Sequence, residues 1–137
     1  MKDYKEFLTR LKGTLKKDSP FFFEFWNIGG VKPGFKNWIK TRDSEGNTLI
    51  RLNGSEFDKK TNIISVTFDF YVLSETEVID SFKEVHKLRC FNTEEIEKLL
   101  ANNGFNLLGT YKKDNQTQKL EDNLEDAFNI IAVATAI

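Results

Sequence analysis

The sequence has one cysteine, one histidine, one methionine and two prolines among its 137 residues. A single cysteine excludes an internal disulfide and a cysteine-based zinc site, so Cys90 is expected to be a small buried apolar side chain. No apolar run approaches the roughly 18 residues that a membrane span needs. The N-terminal stretch MKDYKEFLTR lacks the apolar centre of a signal peptide, which predicts a cytoplasmic protein with no membrane partner.

A strong charge of either sign is also lacking, because 20 basic and 21 acidic residues leave a net charge of −1. A chain with a net charge near zero has no overall positive electrostatic potential that would attract nucleic acid. The stretch GFKNWIKTR mixes Phe35 and Trp38 with basic residues, a mixture that also suits base stacking. Alternation along a strand places those charges on an ordinary solvent face, so no nucleic-acid partner is predicted.

The length and the 13 phenylalanines predict one domain with an aromatic core. Apolar residues at helical spacing predict an amphipathic helix over about residues 3–16. The run FFFEFW, residues 21–26, is apolar at nearly every position, which predicts a strand covered on both faces. NIGGVKPG then interrupts regular structure. A helix followed by a short buried strand indicates an α/β fold.

The pattern changes to a period of two after this break. NWIKTRD, NTLIRLN, IISVTFDFYV and residues 78–91 each alternate, which predicts an antiparallel sheet over residues 35–91 with one dry and one wet face. Glu84 and His86 fall on the same face of the last of these strands, because residues two apart share a face.

The helix with the clearest start and stop signals is predicted over about residues 93–103. Asn92 is placed to cap it and Glu95 to complete a capping box, while Gly104 suits the left-handed position after the last turn. FNLLGTYK follows as a strand, KDNQTQKLEDNLED as a polar connection, and AFNIIAVATAI as a nearly all-apolar strand that needs cover on both faces.

This order of elements resembles the C-terminal half of a class I S-adenosylmethionine-dependent methyltransferase, of the small-molecule type with an inserted antiparallel sheet. DSPFFFEFWN is similar to the family's GGxFxFDxxN-like strand, with glutamate in place of the usual aspartate. The segment that begins at Glu84 is similar to ExHxxRxFTxEEIxxLLxxxGF. The residues in matching places are Glu84, His86, Arg89, Phe91, Glu94, Glu95, Ile96, Leu99, Leu100, Gly104 and Phe105.

The resemblance implies a partial Rossmann-like methyltransferase sheet. Residues 1–27 and 92–137 would supply strands five, six and seven of the family, with the C-terminal strand central and antiparallel to the others. Residues 35–91 would be the antiparallel insertion. The strand at residues 21–26 would then have an unpaired edge, so a homodimer or a partner chain is predicted there.

The family's cofactor motif is missing from the sequence. S-adenosylmethionine, implied by the resemblance alone, needs a strand, a glycine-rich turn and a helix, together with a carboxylate for the ribose. GGVKPG leads into more β pattern instead of a helix, which favours an ordinary loop. This chain alone is therefore not expected to bind the cofactor. Its origin as a truncated gene product, an expressed fragment or a natural subunit that completes another chain is left open.

The resemblance implies four candidate site residues for a small-molecule acceptor. Trp26 and Asn27 follow the first strand, Glu84 is a second binding candidate, and His86 is the candidate catalytic base. Each also has a structural interpretation: core packing for Trp26, a turn residue for Asn27, and a structural histidine for His86. No metal site is predicted. The alternative function is a non-catalytic domain that binds a protein or a small ligand.

Overall fold

The computed structural model describes residues 2–32, 34–113, 120–122 and 126–137. It forms two compact units, unit 1 of Met1–Val31 with Cys90–Ile137 and unit 2 of Lys32–Arg89. No helix within the described ranges is long and apolar enough to cross a membrane. In chain order the elements are α1 (Lys2–Thr14), β1 (Pro20–Trp26), a short 3₁₀ helix (Ile28–Gly30), β2 (Lys36–Arg42), β3 (Thr48–Asp58), β4 (Ile63–Ser74), β5 (Glu77–Arg89), α2 (Thr93–Ala101), β6 (Phe105–Lys113), β7 (Leu120–Asp122) and β8 (Asn129–Ala136).

Unit 1 contains a four-stranded sheet in the order β1-β8-β6-β7. β8 lies between β1 and β6 and is antiparallel to both, which confirms the predicted central position of the C-terminal strand. β1 is an edge strand of this sheet, as predicted. The predicted polar connection differs in one respect, because its residues 120–122 form β7 beside β6; residues 114–119 and 123–125 of that connection lie outside the described residues.

The core of unit 1 lies on one face of this sheet. α1 contributes Leu8, and α2 contributes Ile96 and Leu100. The alternate residues of β8 that point to this face are almost completely buried, because the helices cover them. The other buried members of the core are Phe25, Phe91, Phe105, Ile130, Ala132, Ala134 and Ala136.

The opposite face of the same sheet is much more open. Phe22 is 78% exposed and Glu24 is also exposed, although the next residues in β1 alternate with them toward the core. The prediction that residues 21–26 are covered on both faces is therefore wrong for the described part of the chain. A continuous apolar run indicates that both faces of a strand need to be covered. It does not show which segment provides that cover.

The start of α2 is fixed by local hydrogen bonds. The Glu95 N–H donates to the Asn92 side chain at 2.7 Å, and the Asn92 N–H donates to the Glu95 carboxylate at 3.2 Å. These two bonds form the predicted capping box and satisfy two helix-terminal donors. At the other end, Gly104 has φ +79°, the left-handed conformation that was predicted for it.

Replacing Asn92 by alanine is expected to lower the free energy of unfolding by about 1 kcal/mol, because the Glu95 N–H loses its acceptor. Thermal unfolding followed by circular dichroism measures the change. Asn106→Ala is the matched control, since Asn106 is exposed on β6 and its loss should change the stability by less than about 0.5 kcal/mol. Equal losses in the two variants would contradict a capping role for Asn92.

Unit 2 is a four-stranded antiparallel sheet in the order β2-β3-β4-β5, in which each strand pairs with the next along the chain. The predicted antiparallel sheet is thus confirmed. The prediction of one dry and one wet face is wrong: β2 is exposed throughout, and so is β5 up to Leu88. Among the described residues of unit 2, only Ile64 and Val66 of β4 are buried as whole residues. The outer strands have a strand neighbour on one side only, and no helix within the described part of unit 2 covers them.

Candidate functional site

Trp26 and Asn27 lie at the end of β1 in unit 1. The Asn27 side chain is 4% exposed and its Nδ2 donates to the Ala127 carbonyl at 2.9 Å. The Asn27 N–H donates to the Phe128 carbonyl at 2.7 Å. The Trp26 ring packs 4.9 Å from the ring of Phe128. Asn27 therefore links the end of β1 to residues 127–128, which precede β8. Its side-chain amide already donates a hydrogen bond within the protein.

The turn around Gly30, in the loop after β1, offers no cradle for a nucleoside cofactor. It forms a single 3₁₀ turn, Ile28–Gly30, and the Gly30 N–H donates to the Asn27 carbonyl at 3.2 Å. The space beside the Gly30 Cα is filled by the backbone of Ala127 and Phe128, so a ligand cannot approach there. A cofactor site of the strand–turn–helix type needs open glycine backbone and a following helix. The turn at Ile28–Gly30 therefore does not fit S-adenosylmethionine.

Glu84 and His86 lie on one face of β5 in unit 2, as their spacing predicts. The structure brings the two side chains together, with His86 Nε2 3.2 Å from Glu84 Oε2. Their side chains are 52% and 51% exposed, so the pair is open to solvent on about half of its surface. β5 is the outer strand of its sheet, which leaves this pair open to solvent.

An aromatic ring lies beside this pair. Phe68 of β4 is the cross-strand neighbour of Glu84, and its ring is 5.6 Å from the His86 ring in an edge-to-face arrangement. The guanidinium of Arg51 lies over the same Phe68 ring at 5.1 Å, within the range of a cation–π interaction. The Phe70 and Phe82 rings stack at 4.6 Å next to them.

Arg51 and Asn53 of β3 are polar residues of this face that were not predicted from the sequence as site residues. Asn53 is the cross-strand neighbour of Phe68, and Arg51 that of Phe70, so both point to the same side of the sheet. A signal for them exists in the sequence, because each occupies the register of β3 that alternates with Leu52. We name these residues together the Arg51 face: Arg51, Asn53, Phe68, Phe70, Phe82, Glu84 and His86.

Cys90 is completely buried, which confirms the interpretation of a small apolar side chain. Burial raises the pKa of the Cys90 thiol, because the thiolate is poorly solvated there. A thiol with a raised pKa is a poor nucleophile. Among the described residues, no group of three or more histidine, cysteine, aspartate or glutamate side chains could hold a metal ion.

The four predicted site residues thus form two pairs, each described within its own unit. Trp26 and Asn27 are held in unit 1 by contacts with Phe128 and Ala127. Glu84 and His86 form an exposed polar pair in unit 2. Their assignment to an acceptor site stays a prediction.

Neither a family model nor a curated protein matches the sequence. Solved structures do match. An S-adenosylmethionine-dependent methyltransferase from Clostridium acetobutylicum is 19% identical with a TM-score of 0.71, and the match covers 98% of this chain and 51% of the other. The amino pentose methyltransferase CalS10 from Micromonospora echinaspora, solved with bound S-adenosylmethionine, is 17% identical with a TM-score of 0.73, over 97% of this chain and 50% of CalS10.

A third match is the sugar N-methyltransferase KedS8 from a Streptoalloteichus species. It is 17% identical with a TM-score of 0.67, over 94% of this chain and 47% of KedS8. The chain therefore spans about half the length of the structures it matches. Its α/β fold, with two helices and antiparallel sheets in the described residues, matches the fold of these methyltransferases.

Proposed function

We propose that this chain is the C-terminal portion of an S-adenosylmethionine-dependent methyltransferase for a small molecule, and that it is inactive without a cofactor-binding half. One observation carries the proposal: methyltransferase structures match nearly the whole chain over only about half of their own length. The backbone of Ala127 and Phe128 fills the space beside Gly30 in the loop after β1, so the missing half would supply the cofactor site. The strands β1, β6 and β8 would then correspond to strands five, six and seven of the complete sheet.

The missing half would dock on β1. The outer edge of β1 has no strand neighbour among the described residues, except that the Trp26 carbonyl at its end accepts a hydrogen bond from the Phe91 N–H at 2.9 Å. Phe22 projects 78% exposed from the open face of its sheet. An edge strand and an exposed aromatic side chain together are a ready site for strand addition and apolar burial. Another chain, or a longer form of this polypeptide, would provide the half. A second copy of this chain at the same edge is the alternative occupant.

The acceptor would be an amine-bearing sugar or a similar small molecule. Two of the matching structures are described as an amino pentose methyltransferase and a sugar N-methyltransferase. In this chain the His86 imidazole, hydrogen-bonded to Glu84, is the group suited to receive a proton from the acceptor. Positioning and exclusion of water provide most of the remaining acceleration in such transfers, which requires both halves.

Complementation tests this proposal. Isothermal titration calorimetry with S-adenosylmethionine should give no binding heat with this chain alone. Binding should appear after the chain is mixed with the half of the Clostridium acetobutylicum methyltransferase that it does not match. Phe22→Glu should abolish the heat that is measured when this chain is titrated with the other half. The circular dichroism spectrum should not change, because Phe22 lies outside the core. Glu75→Gln, an exposed change in unit 2, is the control and should leave association unchanged.

The rival proposal is a non-catalytic domain that binds a protein or a small ligand. The backbone atoms that block the space beside Gly30 favour it. No cofactor binding in any mixture, together with dimerisation that Phe22→Glu abolishes in sedimentation, would support this rival and refute the complementation model.

A further inference from the structure

His86 has three side-chain neighbours on its face of the sheet in unit 2, although its own side chain is 52% exposed. The Glu84 carboxylate lies 3.2 Å from Nε2 of His86. Phe68 lies on the diagonal across β4, with its ring 5.6 Å from the imidazole and the two ring planes inclined at 71°. Val66, directly opposite His86, is buried. An exposed side chain ordinarily moves between rotamers within nanoseconds, and these neighbours restrict that motion.

The contact with Glu84 determines which imidazole nitrogen carries the proton. An ionised carboxylate can only accept a hydrogen bond, so Nε2 must be the donor. A neutral imidazole has one N–H group, which leaves Nδ1 with a lone pair. Within the described residues, no hydrogen-bond partner meets Nδ1 of His86. Nδ1 is therefore the atom of this ring that can accept a proton.

Phe68 is itself fixed by contacts with residues of three strands. The guanidinium carbon of Arg51 in β3 lies over the Phe68 ring at 5.1 Å, a cation–π distance. The Phe70 ring in β4 lies at 6.3 Å, and the imidazole of β5 completes the set. Inclined aromatic rings attract each other because the positive edge of one ring meets the negative face of the other. A ring that is fixed in this way can hold the imidazole in one orientation.

A fixed orientation matters for proton transfer from an acceptor amine. An amine in its ammonium form must lose one proton before its nitrogen can act as a nucleophile. The N–H bond breaks, its electron pair stays on the nitrogen, and the proton forms a bond with Nδ1 of His86. The Glu84 carboxylate then stabilises the imidazolium through its opposite charge. A base works only within hydrogen-bond reach of the proton that it removes, so its ring must be held in place.

We propose that Phe68 and Glu84 are positioning residues for His86. Together they hold the imidazole in one rotamer, with the proton on Nε2 and the Nδ1 lone pair left for the proton of the acceptor. The catalytic meaning of this arrangement rests on the proposed transferase function. The orientation itself belongs to unit 2 alone and requires neither the cofactor nor the missing half. Failure of positioning and failure of complementation are therefore separate results.

Nuclear magnetic resonance of the full chain, labelled with ¹³C,¹⁵N-histidine, tests the orientation, and its signals are unambiguous because the chain has one histidine. At about pH 9, where an imidazole is neutral, the long-range ¹H–¹⁵N spectrum should show a protonated Nε2 and an unprotonated Nδ1. Three-bond couplings to Cγ should show one χ1 rotamer of His86 in about tenfold excess over the others. Averaged couplings, or a proton on Nδ1, in the unchanged chain would overturn the proposal.

Variants of Phe68 separate positioning from general packing of the sheet. Phe68→Leu removes the ring, so the His86 couplings should become averaged, whereas Phe68→Tyr keeps the ring and should retain the single rotamer. Phe70→Leu is the matched control, because Phe70 lies two residues further along the same face of β4 and stacks on Phe82 at 4.6 Å. It should leave the His86 couplings unchanged. Equal effects of Phe68→Leu and Phe70→Leu would attribute the order of His86 to sheet packing and refute a positioning role for Phe68.

Glu84→Leu tests the second positioning residue. Without the carboxylate, a share of the Nδ1–H tautomer should appear at about pH 9, and an unchanged tautomer would refute the role of Glu84. In a complemented enzyme that transfers methyl groups, Phe68→Leu should lower kcat by about tenfold or more and leave KM unchanged, because only the orientation of the base is lost. An unchanged kcat in this variant would contradict a positioning role in the reaction.

Discussion

Replacing Phe105 by alanine is expected to lower the free energy of unfolding of unit 1 by about 3–5 kcal/mol. Phe105 is 1% exposed and belongs to the largest fully buried side chains of the described structure. Its ring meets the Phe21 ring edge-to-face at 5.0 Å, and it lies in the same core as Leu100 and Ile130. Removing the ring leaves a cavity between the sheet and the helices, and a well-packed core closes such a cavity only in part.

Urea unfolding of unit 1 measures this change directly. The sequence has two tryptophans, of which Trp26 lies in unit 1 and the 63% exposed Trp38 in unit 2. In a Trp38→Phe background, the fluorescence of Trp26 therefore reports on unit 1 alone. Phe22→Ala is the matched control: it removes the same side chain from a 78% exposed position in the same sheet, and a loss below about 0.5 kcal/mol is expected. Similar losses for Phe105 and Phe22 would contradict the one-sided core.

Replacing Gly30 by alanine is expected to destabilise unit 1 by about 3 kcal/mol, at the upper end of the usual range for overpacking. A Cβ on Gly30 would lie well inside van der Waals contact of the Phe128 N and Cα atoms and of the Ala127 carbonyl carbon. These are backbone atoms that cannot rotate away, in contrast to the end of a flexible side chain. Their displacement would also strain the hydrogen bonds of Asn27 to Ala127 and Phe128.

Gly13→Ala is the control with the opposite sign. Gly13 lies in α1, and nothing stands within 4 Å of the position that its Cβ would take. Alanine should therefore stabilise the chain by up to about 1 kcal/mol, because glycine is a poor helix former and leaves the unfolded chain more conformational freedom. The same Trp26 fluorescence assay measures both variants. A neutral Gly30→Ala would show that the 3₁₀ turn does not pack tightly against residues 127–128.

The elements that the sequence predicts best are those fixed by local chemistry. α2 is an example, because its capping box and left-handed glycine depend on residues within one or two turns of each end. The strands of unit 2 are equally predictable from the sequence, because a period of two along IISVTFDFYV is typical of a β-strand. The face shared by Glu84 and His86 follows from the same period.

The exposure of these elements could not be predicted in the same way. The run that contains Phe22 has the same letters whether its outer face is covered by another segment or left open, so pattern alone predicted cover on both faces. Arg51 and Asn53 escaped selection for a related reason. What distinguishes these two residues is their cross-strand neighbours and their buried polar atoms without a hydrogen-bond partner. Both features depend on the register between strands, and the alternation within a single strand does not specify that register.

The pairing order of the strands has a consequence for folding kinetics. In unit 2 every strand pairs with its immediate successor, so each hairpin can close over a short loop. In unit 1, β1 pairs with β8, and the bond between Asn27 and Ala127 joins residues 100 positions apart. Since long loops must close before distant contacts become favourable, nucleation is expected among the successive hairpins, and the sheet around β8 should consolidate in a slower kinetic phase that stopped-flow fluorescence of Trp26 would resolve from that of Trp38.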